Sequence, residues 1–276
     1  MEKNYKEILD SIVNNLGNYL NENNLKSMVL GISGGIDSTL CAYICHLVSK
    51  KYNINFFGIS LPSNTNMNSE VDSATDTMYA FCDNYYEKEI DSLYNLHKYW
   101  FDEILDVFNL NETPISEGNV KARIRMQILY KIAGLTNGIV IDTDNLTEHY
   151  LGFFTVHGDV GDYKPIGHLW KHEIFELTKY IYENCELNTL QKNALITVYN
   201  AIPTDGNGTS NGGDMGQIAP GFDYYDVDYV LDSYINKKYD YSNLYNKYNN
   251  IDVEEIHNKK QMIIDRYNKN KFKHKY

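Results

Sequence analysis

The chain has 276 residues, 43% of them hydrophobic and 25 of them tyrosine, enough apolar material for a sizeable core in one large α/β domain or two small ones. Its formal net charge is −12, with acidic residues spread along the chain, and this argues against a general nucleic-acid binder, which needs a basic face to displace phosphate counter-ions. No apolar run approaches membrane-spanning length and the N-terminus does not read as a signal peptide, so neither a membrane nor a nucleic acid is an expected partner and the compartment is read as cytoplasmic.

The opening segment, MEKNYKEILDSIVNNLGNYL, places Tyr5, Ile8, Leu9, Ile12, Val13, Leu16, Tyr19 and Leu20 at helical spacing and predicts an amphipathic helix. Residues 27–32 (SMVLGI) form a short apolar run that ends in SGGIDS, and a helical pattern follows over 39–49. Strand, tight loop and helix is the natural reading. A second strand over 54–60 precedes the loop LPSNTNMNS and a helical pattern over 70–82. Residues 85–90 read as a third strand, 92–107 and 120–133 as helices, and 138–142 (GIVID) as a fourth, buried strand. Strands alternating with helices imply a parallel sheet covered on both faces, with its sites at the carboxyl ends of the strands. A polar, glycine-rich loop occupies 204–216, and the basic stretch 268–276 reads as a mobile tail. With five prolines and no Gly/Ser/Pro-rich linker, residues 1–276 are expected to form a single domain. Cys41, Cys45, Cys82 and Cys185 include no C-x-x-C pair and read as reduced core thiols before disulfides or metal ligands.

SGGIDS, Ser33 to Ser38, sits where a strand hands over to a helix, so backbone N–H groups and the helix dipole both point at an anion. Gly34 and Gly35 let the backbone approach phosphate oxygens, and the Ser33 and Ser38 hydroxyls are candidate donors. Asp37 repels bare phosphate but suits a magnesium ion that bridges to it. A Walker A loop carries a lysine before its final Ser or Thr, and Asp37 stands there instead.

These residues carry a resemblance. SGGIDS resembles the pyrophosphate-binding loop of the ATP pyrophosphatases, enzymes that adenylate a carbonyl or carboxylate and release pyrophosphate. Four further segments resemble the NAD synthetase branch: GNVKARIRMQILYKIAG, DTDNLTEHYLGFFTVHGD, PIGHLWK and PTDG. The resemblance implies a three-layer, Rossmann-like, doubly wound parallel sheet of the adenine nucleotide alpha hydrolase-like type. It implies ATP contacts at Gly31, Ile32, Ser33, Gly34, Gly35, Ile36, Asp37, Ser38, Thr143, Lys171 and Thr204, and magnesium held by Asp37 and Glu148. Deamido-NAD is assigned to Arg123, Asp162, Phe272 and Lys273, and the catalytic roles to Asp37, Glu148 and Lys171.

Chemistry supports several of these roles independently of the family. A guanidinium at Arg123 clamps a phosphate or carboxylate bidentately, whereas Arg125 suits a surface or interface ion pair equally well. Asp159 and Asp162 flank Gly161 in a loop, where a polar turn and recognition of ribose or pyridine are evenly balanced. Lys171 begins a helix, where the dipole disfavours a cation unless a polyphosphate lies nearby. The chain departs from its relatives at Val156, which takes the place of a lysine, at Asp142 for glycine, at Ser60 for arginine, and at Phe272-Lys273 where relatives have His-Lys.

The implied reaction is the ATP-dependent amidation of deamido-NAD to NAD. The chain length leaves no room for an amidohydrolase domain, so free ammonia is the expected nitrogen source, and a homodimer is expected from the resemblance. The alternatives are another ATP pyrophosphatase, such as a tRNA thiolase, and a non-catalytic nucleotide-binding homologue. A thiolase would want a basic surface and a sulfur-handling cysteine pair, and the sequence has neither.

Overall fold

Successive side chains of β-strands project to opposite faces of a sheet, and here the inner strands are buried on both faces, which organises the molecule. In the computed structural model, which describes residues 3–204 and 213–275, β1 (Ser27–Gly31), β2 (Asn55–Ser60), β3 (Asn84–Glu87) and β4 (Gly138–Ile141) form one parallel sheet in the order β3-β2-β1-β4. Met1, Glu2, Asp205 and Gly206 of PTDG, the remainder of the glycine-rich stretch to residue 212, and Tyr276 lie outside the described residues.

Met28 and Leu30 of β1, Phe56 of β2, and Ile139 and Ile141 of β4 project to one face, where α1 (Tyr5–Glu22), α2 (Ile36–Tyr52), α3 (Asn68–Phe81), α7 (Lys171–Asn184) and α8 (Thr189–Asn200) complete the largest core. Val29, Ile59 and Val140 project to the other face and meet Ile124, Met126, Leu129 and Ala133 of α5 (Pro114–Leu135). Each fully buried Leu, Ile, Val or Met side chain contributes about 1.5–3 kcal/mol, so two faces filled in this way fix the strand register. The result is the three-layer, doubly wound α/β arrangement expected from the alternation of elements.

A third cluster lies beyond the carboxyl ends of the strands. It gathers Leu151 of α6 (Leu146–Leu151), Ile218 of α9 (Gly213–Ile218), Val227, Val230 and Leu231 of α10 (Tyr224–Ile235), Leu244 of α11 (Ser242–Lys247), and Ile256 and Ile263 of α12 (Val253–Asn270). The remaining helix, α4 (Asp91–Phe108), buries none of its residues and leaves Leu96, Tyr99, Trp100, Ile104, Val107 and Phe108 exposed.

Three expectations are corrected. The third strand ends at Glu87 and not at residue 90, because Ile90 is buried and turns the chain into α4 as its N-cap residue. The helix expected over 120–133 starts earlier, at Pro114, where Thr113 accepts from the Ser116 amide at 3.1 Å and Ser116 accepts from the Thr113 amide at 2.9 Å. Residues 268–275 are docked and not a loose tail: α12 continues into a 3-10 turn, Lys271–Lys273, whose neighbours bond back to α6.

Candidate active site

The carboxyl end of β1 feeds the SGGIDS loop and then α2. Gly35 is the N-cap residue of α2 and no side chain caps that end, so the first-turn amides point outward. Gly34 has φ +84°, and a Cβ there would lie 2.1 Å from the Glu70 carbonyl oxygen of α3. Both facts demand glycine, the second because α3 presses its first turn against the loop. The hydroxyls brace the loop internally: Ser33 Oγ and Ser38 Oγ are 3.0 Å apart, Ser38 donates to the Gly35 carbonyl at 3.1 Å, and Ser33 accepts from the Gly35 amide at 3.3 Å. Ile32 and Ile36 are core side chains, so only their backbones, with that of Gly31 at the strand end, face the loop region.

Three sequence-predicted residues converge beside this loop. Lys171, 2% exposed, donates to Asp37 Oδ2 and, at 3.1 Å, to Glu148 Oε1, and its ammonium lies 5.6 Å from the Tyr224 ring centroid. Burial works against the charge on Lys171, but Asp37 and Glu148 outweigh it and hold the ammonium well above its usual range. The Glu148 carboxyl is raised to about 7, burial pushing it up most, Lys171 pulling it down and the Asp37 charge adding to the rise. The objection to a lysine at a helix N-terminus is thereby met by two carboxylates.

Asn145, which sequence reasoning passed over, joins the two carboxylates. It is fully buried, donates to Asp37 Oδ1 at 2.9 Å, and accepts from the Glu148 amide at 3.0 Å as N-cap of α6, while Glu148 Oε2 accepts from the Asn145 amide at 3.2 Å. The N-x-x-E spacing of a capping box was the available signal. Two carboxylates sharing one cation offer hard oxygen donors of the kind magnesium takes, with its other positions left to water and phosphate. No group of three or more His, Cys, Asp or Glu among the described residues is arranged to hold a metal ion by itself.

The other predicted residues are placed variously. Thr143 is half-buried between β4 and α6, and Thr204 donates to Glu70 Oε1 on the helix turn that abuts Gly34. Arg123 is exposed on α5, with long contacts to Asn119 O at 3.5 Å and Val156 O at 3.3 Å. Arg125 is half-buried and makes no ion pair among the described residues; it donates to Leu61 O at 2.8 Å and Asn66 Oδ1 at 3.3 Å, bracing the loop after β2. Asp162 accepts from Tyr130 OH and from the Val140 amide, each at 2.9 Å, so both of its oxygens serve the sheet edge. Asp159 accepts from the Thr155 amide at 2.6 Å, which makes it a turn residue. Lys273 donates to Gly152 O at 2.8 Å and to Phe154 O, capping the carboxyl end of α6, while Phe272 is 63% exposed. Asp142, 1% exposed, accepts from the amides of Asp144 at 2.8 Å and Gly161 at 3.0 Å and pairs with Lys164 at 3.4 Å, an arrangement unavailable to glycine.

A parallel sheet covered by helices, with a glycine turn leading from an interior strand into a helix, is an α/β protein of the adenine nucleotide alpha hydrolase-like fold. Across residues 8–276 the sequence matches the NAD synthase family, and the chain belongs to that family. It is similar to a Campylobacter jejuni NH(3)-dependent NAD(+) synthetase, at 36% identity over 171 residues. That match covers 60% of this chain and 63% of the relative, so the aligned segment spans less than two thirds of the relative's length. The solved structure of the NH3-dependent NAD synthetase from Campylobacter jejuni in complex with the nitrate ion superposes with a TM-score of 0.71 at 26% identity, covering 98% of this chain and 96% of that one. The structure of NMN synthetase from Francisella tularensis shares the fold, with a TM-score of 0.74 at 24% identity over 100% of this chain and 98% of that one.

Proposed function

We propose that the chain is an ammonia-dependent NAD synthetase, a ligase that converts the nicotinate carboxylate of deamido-NAD to the amide of NAD with ATP. The observation that carries the reading is the meeting of Lys171, Asp37 and Glu148 beside an uncapped helix N-terminus. Its NH3-dependent NAD synthetase relatives support the same activity.

The nicotinate carboxylate attacks the α-phosphorus of ATP, breaking the bond to the β-phosphate and releasing pyrophosphate. Ammonia then attacks the acyl carbon of the adenylate, loses a proton, and expels AMP. Neither step needs a protein nucleophile; the site must supply alignment and charge neutralisation. The first-turn amides of α2 receive phosphate oxygens. Lys171, freed from its carboxylates when polyphosphate arrives, donates to the leaving pyrophosphate. Asp37 and Glu148 would hold magnesium, which when bound neutralises phosphate charge. Arg123, lightly held on an exposed face, reaches an anionic group of the dinucleotide, while Asp162, Phe272 and Lys273 act on that side chiefly by shaping the loops around it.

A second copy of the chain is the proposed partner, covering the apolar face of α4. Ile104→Arg should then convert a dimer to a monomer in light scattering, and an unchanged mass would remove α4 from the interface. No helix among the described residues is long and apolar enough to cross a membrane, and the free cysteines fit a reducing cytoplasm.

The test is a pyrophosphate-release assay with ATP, magnesium and deamido-NAD, with ammonium or glutamine as nitrogen donor. NAD formation with ammonium and none with glutamine is expected. ATP binding without pyrophosphate release would indicate a non-catalytic nucleotide binder, and turnover only on the nicotinate mononucleotide would overturn the acceptor.

A further inference from the structure

Lys171 and Glu148 come from different helices, and something must hold those helices in register. The N-cap residue of α7 is Trp170, whose side chain offers no cap. Besides Glu173, which accepts from the Trp170 amide at 2.9 Å, the acceptors for the exposed first-turn amides of α7 come from elsewhere. Thr147 Oγ1 of α6 accepts from the Lys171 amide at 2.8 Å, and Asp228 Oδ2 of α10 accepts from the His172 amide at 2.9 Å and from His172 Nδ1 at 2.8 Å. The other oxygen of Asp228, Oδ1, accepts from the Thr147 hydroxyl.

The hydrogens can be assigned from these contacts. Thr147 Oγ1 receives the Lys171 N–H, so its own proton is free to go to the carboxylate. Asp228 is 1% exposed and Thr147 is also 1% exposed, so neither has water to fall back on. The carboxylate sits at a helix N-terminus, where the dipole favours an anion. One buried side chain therefore ties the residue before Glu148 to the residue after Lys171, from α10, the helix whose first residue, Tyr224, also sets its ring 5.6 Å from the Lys171 ammonium.

We infer that Asp228 is a positioning residue, which with Thr147 locks α6 to the first turn of α7 and so fixes the spacing of Glu148 and Lys171. The inference rests on the reading of those two residues as the magnesium and ATP site. Asparagine cannot replace the aspartate, because its amide presents one acceptor and one donor where the pocket offers donors on both sides. Valine at 147 keeps the shape of threonine and removes both hydrogen bonds; serine keeps the hydroxyl.

The experiment compares Asp228→Asn, Thr147→Val and Thr147→Ser in the full chain. Three quantities are read: amide hydrogen exchange at the start of α7, magnesium–ATP affinity by calorimetry, and pyrophosphate release with deamido-NAD and ammonium. Asp228→Asn and Thr147→Val should speed exchange at Lys171 and His172, and lower magnesium–ATP affinity and kcat by about ten- to hundredfold, the usual cost of losing a group that orients a metal ligand. KM for deamido-NAD should stay within about twofold, since the acceptor is bound elsewhere. Thr147→Ser should behave as the parent chain. A lowered Tm in Thr147→Val with exchange, ATP affinity and kcat unchanged would make the network purely structural, and equal impairment in Thr147→Ser would show that the hydroxyl is not what matters. If Asp228→Asn does not fold, the two Thr147 variants decide. A parent chain that binds magnesium–ATP but makes no NAD refutes the proposed reaction and leaves exchange and affinity to judge Asp228.

Discussion

Replacing Glu148 by glutamine should shift the stability of the ligand-free chain increasingly in the variant's favour as pH rises, while disabling it. This carboxyl is raised to about 7 from an ordinary 4.5, burial pushing it up most. A group whose folded-state value is raised contributes stability that is fully present below the unfolded value and is lost as pH rises through the folded one. On Glu148's account the parent chain therefore loses stability between about pH 4.5 and 7. The gap corresponds to roughly 3 kcal/mol, and because 23% of the side chain is exposed, solvent reduces it to about 2 kcal/mol. Glutamine cannot ionise, and its amide oxygen still accepts from Asn145 N, so the cap on α6 survives. The difference in unfolding free energy between Glu148→Gln and the parent should thus grow by about 2 kcal/mol in the variant's favour from pH 5 to pH 8, equivalent to roughly 4–8 °C in Tm. Any pH-independent cost of the substitution cancels in this comparison. Urea titrations in the presence of a chelator at the two pH values measure it, and a difference that is the same at both would refute the reasoning. The same variant should lose most of its turnover.

The Gly34 site predicts a cost of another kind: Gly34→Ala must strain a φ of +84° and push a methyl into the Glu70 carbonyl, so a loss of at least about 2 kcal/mol in urea unfolding is expected, and a neutral result would mean that α3 is not pressed against the loop. For Arg123→Ala, the loss of charge-assisted hydrogen bonds worth about 1.5–3 kcal/mol should raise KM for deamido-NAD roughly tenfold to hundredfold and move KM for ATP far less. Equal weakening for both would assign the arginine to the ATP side or to the fold.

The fold was legible because its signals are local. The continuous apolar run of β1, the glycine pair at its end and the helical pattern beyond it are read within about two dozen residues, and the structure keeps each of them. Asp37, Glu148 and Lys171 were likewise named from motif segments, and they meet in space. What the sequence hid is cooperative. Asn145 looks like an ordinary helix cap until its amide is seen on Asp37, a contact between residues 108 positions apart. Asp228 looks like a surface acid of an amphipathic helix and is buried, because the groups that receive it lie on α6 and α7. Arg125 was balanced between an anion clamp and a surface or interface ion pair; it makes no ion pair among the described residues, its partners being backbone and side-chain oxygens of a loop that no periodicity describes. The tail seemed mobile from its charge, yet lysine and histidine there find the unpaired carbonyls at the end of α6.

The borrowed cap of α7 also bears on how the chain folds. A helix whose first turn is closed by Thr147 and Asp228 has little reason to start at Lys171 in isolation, because the acceptors arrive only when α6 and α10 have docked. Nucleation is expected in the locally wired part of the chain, around β1, α2 and β2, with the opening of α7 ordered after the rate-limiting step. Mutations at Thr147 or Asp228 should then accelerate unfolding and leave the refolding rate nearly unchanged, which stopped-flow chevron arms can separate. Partly folded forms of the chain would accordingly hold the nucleotide loop but lack a placed Lys171, and the ability to cleave ATP would appear only with the last cooperative step.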